Sequence, residues 1–248
     1  MRNMKRFALL TAAFAALLAL MPAAALAQIV ELGATKTPVV APTCPRGATG
    51  SNCTIILTQV TALESVRDGV TYPTTVKKAG YLVAWTVGLS RLSSNNQTAH
   101  NAVHYLDSLY GGNTEAGISV LKSVGSKSLH RWELVAQSPI VHLQPWLGDV
   151  VQFPLATPLP VKAGEVVALT VPTWAAVLSI DLPTSSFAYR QSRGANCSKP
   201  AVTEQAQQTI GETTPYSCDY PGTRVEYSAT EVLSPAVPRN QIHARRHP

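Results

Sequence analysis

The sequence predicts an all-β sandwich that carries one short helix or long excursion near residues 98–110. From Cys53 onward, short apolar stretches recur between turn residues, and this spacing is typical of sandwiches and barrels. One stretch alternates strictly between large and small residues, and one turn-and-strand pattern occurs twice. Hydrophobic residues make up 46% of the chain and charged residues 14%, a composition that excludes a wholly disordered protein.

The most regular strand is predicted over residues 81–90. Its even positions are mostly small, whereas its odd positions are large and apolar: Tyr81, Val83, Trp85, Val87 and Leu89. Because successive side chains of a strand point to opposite faces, we expect the odd set to face the core.

Other short apolar stretches predict the remaining strands, which are residues 54–63, 118–124, 130–137, 150–153, 165–171, 175–180, 187–191 and 223–232. In the last of these, Val225, Tyr227 and Ala229 are expected to share one face. Residues 78–87 match residues 162–171 at seven of ten positions, at an even offset of 84. Each copy has a glycine-containing turn before a strand, which indicates equivalent strands in the two halves of the sandwich.

Residues 98–110 break the strand pattern and predict a short helix. Thr98 is the expected N-cap, and Val103, Leu106 and Tyr110 fall on one helical face. The pair of glycines that follows is expected to end the helix.

The two ends of the chain differ from its body. Residues 1–27 have the basic, then apolar, then small-residue pattern of a secretory signal peptide, with cleavage expected between Ala27 and Gln28. Removing these 27 of 248 residues leaves 221, and no second long apolar run predicts a membrane span. Residues 28–43 are expected to be an extended lead-in, residues 44–234 the sandwich domain, and residues 235–248 a basic disordered tail. The protein is therefore expected to be secreted or held in the cell envelope.

The charge of the body predicts that nucleic acid is not a partner. The formal net charge is +6, but three basic residues belong to the signal peptide and three lie in the tail. The body between them has 14 basic and 14 acidic residues. No basic stripe is present that would neutralise phosphates.

The four cysteines predict two local disulfides. An exported location favours disulfides, and no cysteine pair has the C-x2-C spacing of a structural zinc site. Cys44 and Cys53 enclose a polar stretch with two glycines, and Cys197 and Cys218 enclose a long polar excursion. We therefore expect Cys44–Cys53 and Cys197–Cys218, although the two other pairings stay open.

The sequence favours none of three kinds of functional site: a metal site, a serine hydrolase site or a glycosidase site. His100, His104 and Asp107 would share a helical face and could hold a divalent ion, but we expect them to form a solvated polar flank beside the apolar face of the helix. No G-x-S-x-G nucleophile elbow occurs. A glycosidase would need two paired carboxylates. The acidic residues near strand ends are Glu64, Asp68, Asp149 and Asp181. We expect no cofactor.

Tryptophan is the other hint of function, because flat sugar rings stack on exposed indoles. Trp132, Trp146 and Trp174 lie in or next to strands and turns, whereas the alternation of residues 81–90 places Trp85 in the core. Trp146, between Pro145 and a glycine-containing turn, is the residue predicted to anchor a ligand at the surface.

Several phrases of the chain are specific enough to suggest a family. They are CTIILTQVTALESVRDGVTYPT, KKAGYLVAWTVGLSRLSSN, VKAGEVVALTVPTWA, FAYRQSR with Cys197 close behind, and YSCDYPG. They resemble a group of exported proteins of soil actinobacteria over nearly the whole mature chain. The resemblance implies a jelly-roll sandwich and export, and it implies no catalytic residue.

Two functions follow as hypotheses. The first is a non-catalytic exported protein that binds a cell-surface or environmental ligand such as a polysaccharide, or that serves structurally in the envelope. The alternative is a secreted polysaccharide hydrolase or lyase on the same scaffold, since one sandwich can host either function. A cleft with two accessible carboxylates or a metal would favour the enzyme, whereas a surface with aromatic residues would favour binding.

Overall fold

The computed structural model describes residues 28–45, 53, 55–194, 197 and 206–234. The expected signal peptide and the expected basic tail lie outside these residues. The described residues contain fifteen strands: β1 Ile29–Leu32, β2 Leu57–Arg67, β3 Val70–Thr71, β4 Gly80–Gly88, β5 Glu115–Ser123, β6 Arg131–Gln137, β7 Val141–His142, β8 Val150–Val161, β9 Val166–Ala175, β10 Leu178–Ser179, β11 Phe187–Gln191, β12 Thr213–Pro215, β13 Cys218–Pro221, β14 Arg224–Val225 and β15 Tyr227–Leu233. The helices are α1 Asn96–Tyr110 and the short 3-10 turns η1 Lys127–Leu129 and η2 Gln144–Trp146.

Eight of these strands form a jelly roll of two antiparallel sheets. The first sheet has the order β1-β15-β4-β8, and the second contains β6-β5-β9-β2 at its centre. The pairs β1–β15, β2–β9, β4–β8 and β5–β6 are nested in sequence, as in a long hairpin rolled over itself. This arrangement confirms the expected all-β sandwich.

Additional strands extend the second sheet at both edges. β11 pairs with β2 and then with β13, while β12 pairs with the outer edge of β6. Strands β11, β12, β13 and β14 thus lie in the chain between the seventh and eighth strands of the jelly roll.

The main core lies between the two sheets. It includes Trp85, Val87, Ile118, Leu169 and Tyr227, each at most 1% exposed. A second cluster around Leu63, Trp132 and Tyr216 covers the outer face of the longer sheet. A third, around Val103, Leu106 and Trp174, attaches α1.

The predicted alternation of residues 81–90 holds for only part of β4. Trp85 and Val87 are buried as expected, but Tyr81 is 49% exposed and Leu82 is completely buried. The register shifts between Leu82 and Ala84 against β8, and β15 shows the matching shift. A bulge at Val83 therefore reverses the inward face before Trp85, because one extra residue exchanges the two faces of a strand.

The repeated pattern is found in one interior strand of each sheet. β4 lies between β15 and β8, and β9 lies between β5 and β2. Trp85 and Val87 of β4 correspond to Leu169 and Val171 of β9, and all four face the main core. Because the offset between the two copies is even, the residues that follow the bulge at Val83 face the core in both copies.

The edge strand β8 is longer than predicted. It runs through Pro154, Pro158 and Pro160, where the sequence suggested an end at residue 153. Proline cannot donate to a neighbouring strand, but an edge strand has one side without a partner. The predicted strand over residues 175–180 is divided between the last residue of β9 and the two-residue β10.

The predicted helix is confirmed with one correction at its start. Asn95, not Thr98, is the N-cap, and its side-chain oxygen accepts a hydrogen bond from the Thr98 backbone N–H at 2.9 Å. Gly111 ends the helix with φ of 85°, a left-handed conformation that glycine adopts without strain. Val103 and Leu106 are the buried residues, as expected for the apolar face.

The expected lead-in is extended, and it contains a strand of the jelly roll. β1 pairs with β15 from Ile29 to Leu32. Residues 33–40, here called the strap, then cross the outer side of the first sheet. The sandwich therefore begins at Ile29 rather than at Cys44.

Both local disulfides are present. Cys44 is bonded to Cys53, and Cys197 is bonded to Cys218. Two disulfides fit an extracellular protein. None of the helices in the described ranges is long and apolar enough to cross a membrane.

Candidate functional site

A groove of about 400 Å³ opens beside the β11–β13 pair, the start of β2 and the C-terminal end of α1. Three of these elements each contribute a tyrosine to its wall: Tyr110 ends α1, Tyr189 lies in β11, and Tyr220 lies in β13. We call it the tyrosine groove. Its lining is Ile56, Thr58, Tyr110, Leu178, Ile180, Tyr189, Gln191, Arg193, Tyr220 and Thr223.

Strand alternation explains how one short segment supplies three of these side chains. Tyr189, Gln191 and Arg193 are spaced by two residues, so β11 and the residues after it present them on one side. Tyr189 lies opposite Tyr220 of β13, and their rings stack with centroids 5.0 Å apart and an angle of 18° between the planes. Tyr189 is only 3% exposed and supports Tyr220 from the core side, so the half-buried ring of Tyr220 supplies the aromatic surface that this pair offers in the groove.

Hydrogen bonds and a disulfide hold the two tyrosines in place. The Tyr220 hydroxyl donates to the Cys197 carbonyl at 3.0 Å and accepts from Arg193 Nη1 at 3.5 Å. Cys197 is bonded to Cys218, two residues before Tyr220, so the disulfide fixes both partners of this contact. The Tyr189 hydroxyl accepts from Gln191 Nε2 at 2.9 Å, and burial raises the pKa of Tyr189, which therefore keeps its proton.

The chemistry of the groove suits binding. Its walls combine aromatic and aliphatic surface with an amide, a guanidinium and hydroxyl groups, and its volume is that of a small-molecule site. Among the described residues that line it, none is Asp, Glu, His or Cys. The described lining therefore offers no carboxylate, imidazole or thiol as a general base or nucleophile.

A second pocket, of about 420 Å³, lies between the strap and the outer face of the first sheet. The strap forms most of its wall, and the rest consists of Glu31, Arg67, Thr86, Val150 and Ser228. The Glu31 carboxylate already accepts hydrogen bonds from Ser228 and Thr230, at 2.5 and 2.7 Å. No aromatic side chain lines this pocket among the residues described, so it offers a sugar ring no stacking surface.

Below the strap lies a buried ion-pair cluster, formed by Glu64, Arg67, Arg224 and Glu226. Arg67 Nη1 is 3.4 Å from Glu64 Oε2, and Arg224 Nη2 is 3.0 Å from Glu226 Oε2. All four side chains are at most 4% exposed. Desolvation raises the pKa of Glu64 to about 8 and that of Glu226 to about 7.

The ion-pair cluster holds the strap. Arg67 and Arg224 both donate to the Thr37 carbonyl, at 3.2 and 3.4 Å, and Arg224 also donates to the Pro38 carbonyl at 2.6 Å. The Val40 N–H donates to Glu226 Oε2 at 3.2 Å. These carboxyls have the raised pKa values that general acids often show, but they are enclosed and bonded within the protein.

The four acidic residues considered from the sequence are not assembled as an accessible pair. Glu64 is buried in the cluster. Asp68 accepts hydrogen bonds from the side chains of Thr35 and Thr37. Asp149 and Asp181 are exposed at turns, before β8 and after β10. Glu226 is the second acidic residue of the ion-pair cluster, and the sequence did not suggest that it lies near Glu64. Its negative charge contributes to the raised pKa of Glu64.

The three residues considered as metal ligands are divided. His100 and His104 lie side by side on α1, with Nε2 atoms 3.0 Å apart. Asp107 instead accepts a hydrogen bond from Trp174 Nε1 at 2.9 Å, which joins α1 to β9. No cluster of three or more His, Cys, Asp or Glu residues suited to a metal occurs in the described ranges.

The tryptophans contribute mainly to packing. Trp85, Trp132 and Trp174 are at most 7% exposed. Trp146, the anchor predicted from the sequence, ends η2 and is half-buried, and its ring packs edge-on against Phe153 with centroids 5.0 Å apart.

The sequence did not predict the groove residues, because tryptophan was the only aromatic residue expected to bind a ligand. A signal was present, since Tyr189, Gln191 and Arg193 alternate in FAYRQSR and Tyr220 follows Cys218 in YSCDYPG. The disulfide and the β11–β13 pairing bring these two segments together.

Comparison of the chain with family models, with curated proteins and with solved structures finds no match.

Proposed function

We propose that this chain is an exported, non-catalytic binding protein that takes a carbohydrate, such as a segment of a polysaccharide, in the tyrosine groove. The single observation that supports the proposal most strongly is the stacked pair Tyr189–Tyr220, fixed by the Cys197–Cys218 disulfide in a groove lined with polar side chains. A sugar ring has an apolar face of C–H groups that packs on an aromatic ring. Its hydroxyls need hydrogen-bond partners, which the half-buried side chains of Thr58, Gln191 and Thr223 can supply.

The binding function is favoured over the glycoside hydrolase because the aromatic and acidic features are separated. The groove has aromatic side chains, but the described lining has no carboxylate. The carboxyls with raised pKa values, Glu64 and Glu226, lie in the buried ion-pair cluster. A glycosidase needs both carboxyls beside the scissile bond, in contact with the substrate.

The test is a glycan array with the mature chain, followed by calorimetric titration of the best ligand. We expect Tyr220→Ala to weaken binding at least tenfold, because it removes a ring from the groove; a tenfold loss is about 1.4 kcal/mol. Tyr220→Phe keeps the ring and loses the hydroxyl, so it should retain more affinity than the alanine variant.

Two matched variants show whether the groove is the site. Tyr81→Ala removes a half-exposed tyrosine from the first sheet, and Trp146→Ala removes the anchor predicted from the sequence. Both should leave affinity unchanged. Loss of binding in Trp146→Ala with full binding in Tyr220→Ala would contradict the assignment of the groove. Release of reducing or unsaturated ends from any bound glycan would contradict the non-catalytic function.

A further inference from the structure

The exposed side of α1 carries two histidines that have no role in packing. His100 and His104 are one helical turn apart, and both are exposed. Their rings meet edge to face, with centroids 4.3 Å apart. Residues at this spacing lie on the same side of a helix, so α1 itself holds the two imidazoles together.

The separation of the two nitrogens matches a shared metal ion. Their Nε2 atoms are 3.0 Å apart, which is hydrogen-bond distance, so one of them carries a proton when no ion is bound. Binding of an ion breaks this bond, and that ring then carries its proton on Nδ1, which leaves both Nε2 lone pairs for the metal. Imidazole binds transition metals through one nitrogen at about 2.0–2.1 Å. Two such bonds at a right angle would place the nitrogens about 2.9 Å apart, whereas a tetrahedral angle would require about 3.4 Å. The observed spacing fits the right angle.

We propose that His100 and His104 chelate one transition-metal ion of tetragonal preference, Cu²⁺ before Ni²⁺, through their Nε2 atoms. Imidazole suits both ions, and both favour square-planar or tetragonal coordination with neighbouring ligands at right angles. The order of affinity for divalent ions also puts Cu²⁺ above Ni²⁺. The proposal is independent of the tyrosine groove and of its ligand.

Water completes the coordination of the ion. Asp107, one turn further along α1, is engaged by Trp174 Nε1. Asn101, where a zinc protease of the H-E-x-x-H type has its glutamate, instead accepts a hydrogen bond from Gln97 Nε2 at 2.9 Å. The helix therefore supplies two ligands to an open site, which holds an ion without the general base of a metalloprotease.

The experiment is a calorimetric titration of the mature chain with CuCl₂, repeated with NiCl₂. Cu²⁺ should bind with a stoichiometry that falls by one when His104→Ala or His100→Ala is introduced. In the titration with NiCl₂, the dissociation constant should be at least tenfold higher for the same two variants than for the wild type. Both residues are exposed, so the variants should keep the wild-type fold, which circular dichroism checks.

Two matched controls use other histidines of the chain. His142→Ala removes an exposed histidine that pairs with Glu115 at 3.1 Å. The double variant of His243 and His247 to alanine removes a second pair with the same spacing in sequence. Both control variants should bind Cu²⁺ and Ni²⁺ at the α1 histidines with the wild-type affinity. If His100→Ala and His104→Ala bind as much Cu²⁺ as the wild type, or if only the tail variant loses the ion, the proposal is overturned.

A spectroscopic measurement identifies the ligands directly. Electron paramagnetic resonance of one equivalent of bound Cu²⁺ should show coupling to two imidazole nitrogens in the wild type and to one in His104→Ala. An identical spectrum in both proteins would place the ion elsewhere and contradict the proposal.

Discussion

The buried carboxyl of Glu64 predicts an unusual dependence of stability on pH. Glu64 is completely buried, its Oε1 has no hydrogen-bond partner, and its contact with Arg67 is long, at 3.4 Å. Desolvation therefore raises its pKa from an ordinary value of 4.5 to about 8. The folded protein thus holds this proton more tightly than the unfolded chain does.

The sign of the effect follows from proton linkage. Below pH 4.5 the carboxyl is protonated in both states and contributes its full stability. As pH rises from 4.5 through 8, the unfolded chain has already released the proton, and folding becomes less favourable. At 1.36 kcal/mol per pH unit, the difference between 4.5 and about 8 corresponds to about 5 kcal/mol lost across that window. Glu226, with its pKa raised to about 7, acts in the same direction.

The perturbation is Glu64→Gln, which keeps the shape of the protonated acid and removes its titration. The free energy of unfolding, measured by urea denaturation at pH 5 and pH 9, should be similar for variant and wild type at pH 5. At pH 9 the variant should be the more stable by several kcal/mol. Glu212→Gln, at an exposed position, is the control and should follow the wild type at both pH values.

Either of two results would refute this reasoning. If the free energy of unfolding changes with pH in the same way for Glu64→Gln and the wild type, Glu64 does not titrate between its ordinary pKa and pH 8. A wild-type stability that rises with pH over the same range would show that Arg67 keeps Glu64 ionised in the folded state.

Three further predictions concern the fold. Trp85→Ala should lower the free energy of unfolding by about 3–5 kcal/mol, because the ring is 1% exposed in the main core, and Trp146→Ala should cost clearly less; equal losses would contradict the assigned core. Replacing Cys197 and Cys218 together with serine should cost about 3 kcal/mol by freeing a loop of about 22 residues, and an unchanged denaturation midpoint would show that this tether does not restrict the unfolded chain. Gly88→Ala places a methyl group against the backbone of the strap, so limited proteolysis should cut the strap faster than in the wild type, and equal rates would show that the strap adjusts without opening.

Local patterns of the sequence were enough to predict most elements of this fold. The strand at residues 187–191 is found with the predicted bounds, and Val225, Tyr227 and Ala229 are all buried in the core. The helix and both disulfides depend on residues close together in the chain, such as the glycine after Tyr110 and the turn formers between Cys44 and Cys53. Alternation, capping and short loop closure act over a few residues, so one sequence can reveal them.

Features that depend on a neighbouring strand could not be inferred in this way. The bulge at Val83 is visible only in the pairing of β4 with β8 and β15, and it exposes Tyr81 against the apparent alternation. Arg224 and Glu226 alternate with Val225 and Tyr227, and alternation alone predicts that they lie on the opposite, polar side of the last strand. The strap covers that side and buries them.

The candidate sites divide in the same way. The spacing of His100 and His104 on a helix follows from the sequence, because four residues make about one helical turn. The tyrosine groove does not follow from it, since Tyr110, Tyr189 and Tyr220 come from α1, β11 and β13. Arg67 meets the Thr37 carbonyl across 30 residues of chain, and Val40 meets Glu226 across 186. Only the rolled arrangement of the two sheets brings such groups within hydrogen-bond distance, because no local backbone preference acts over separations of that length.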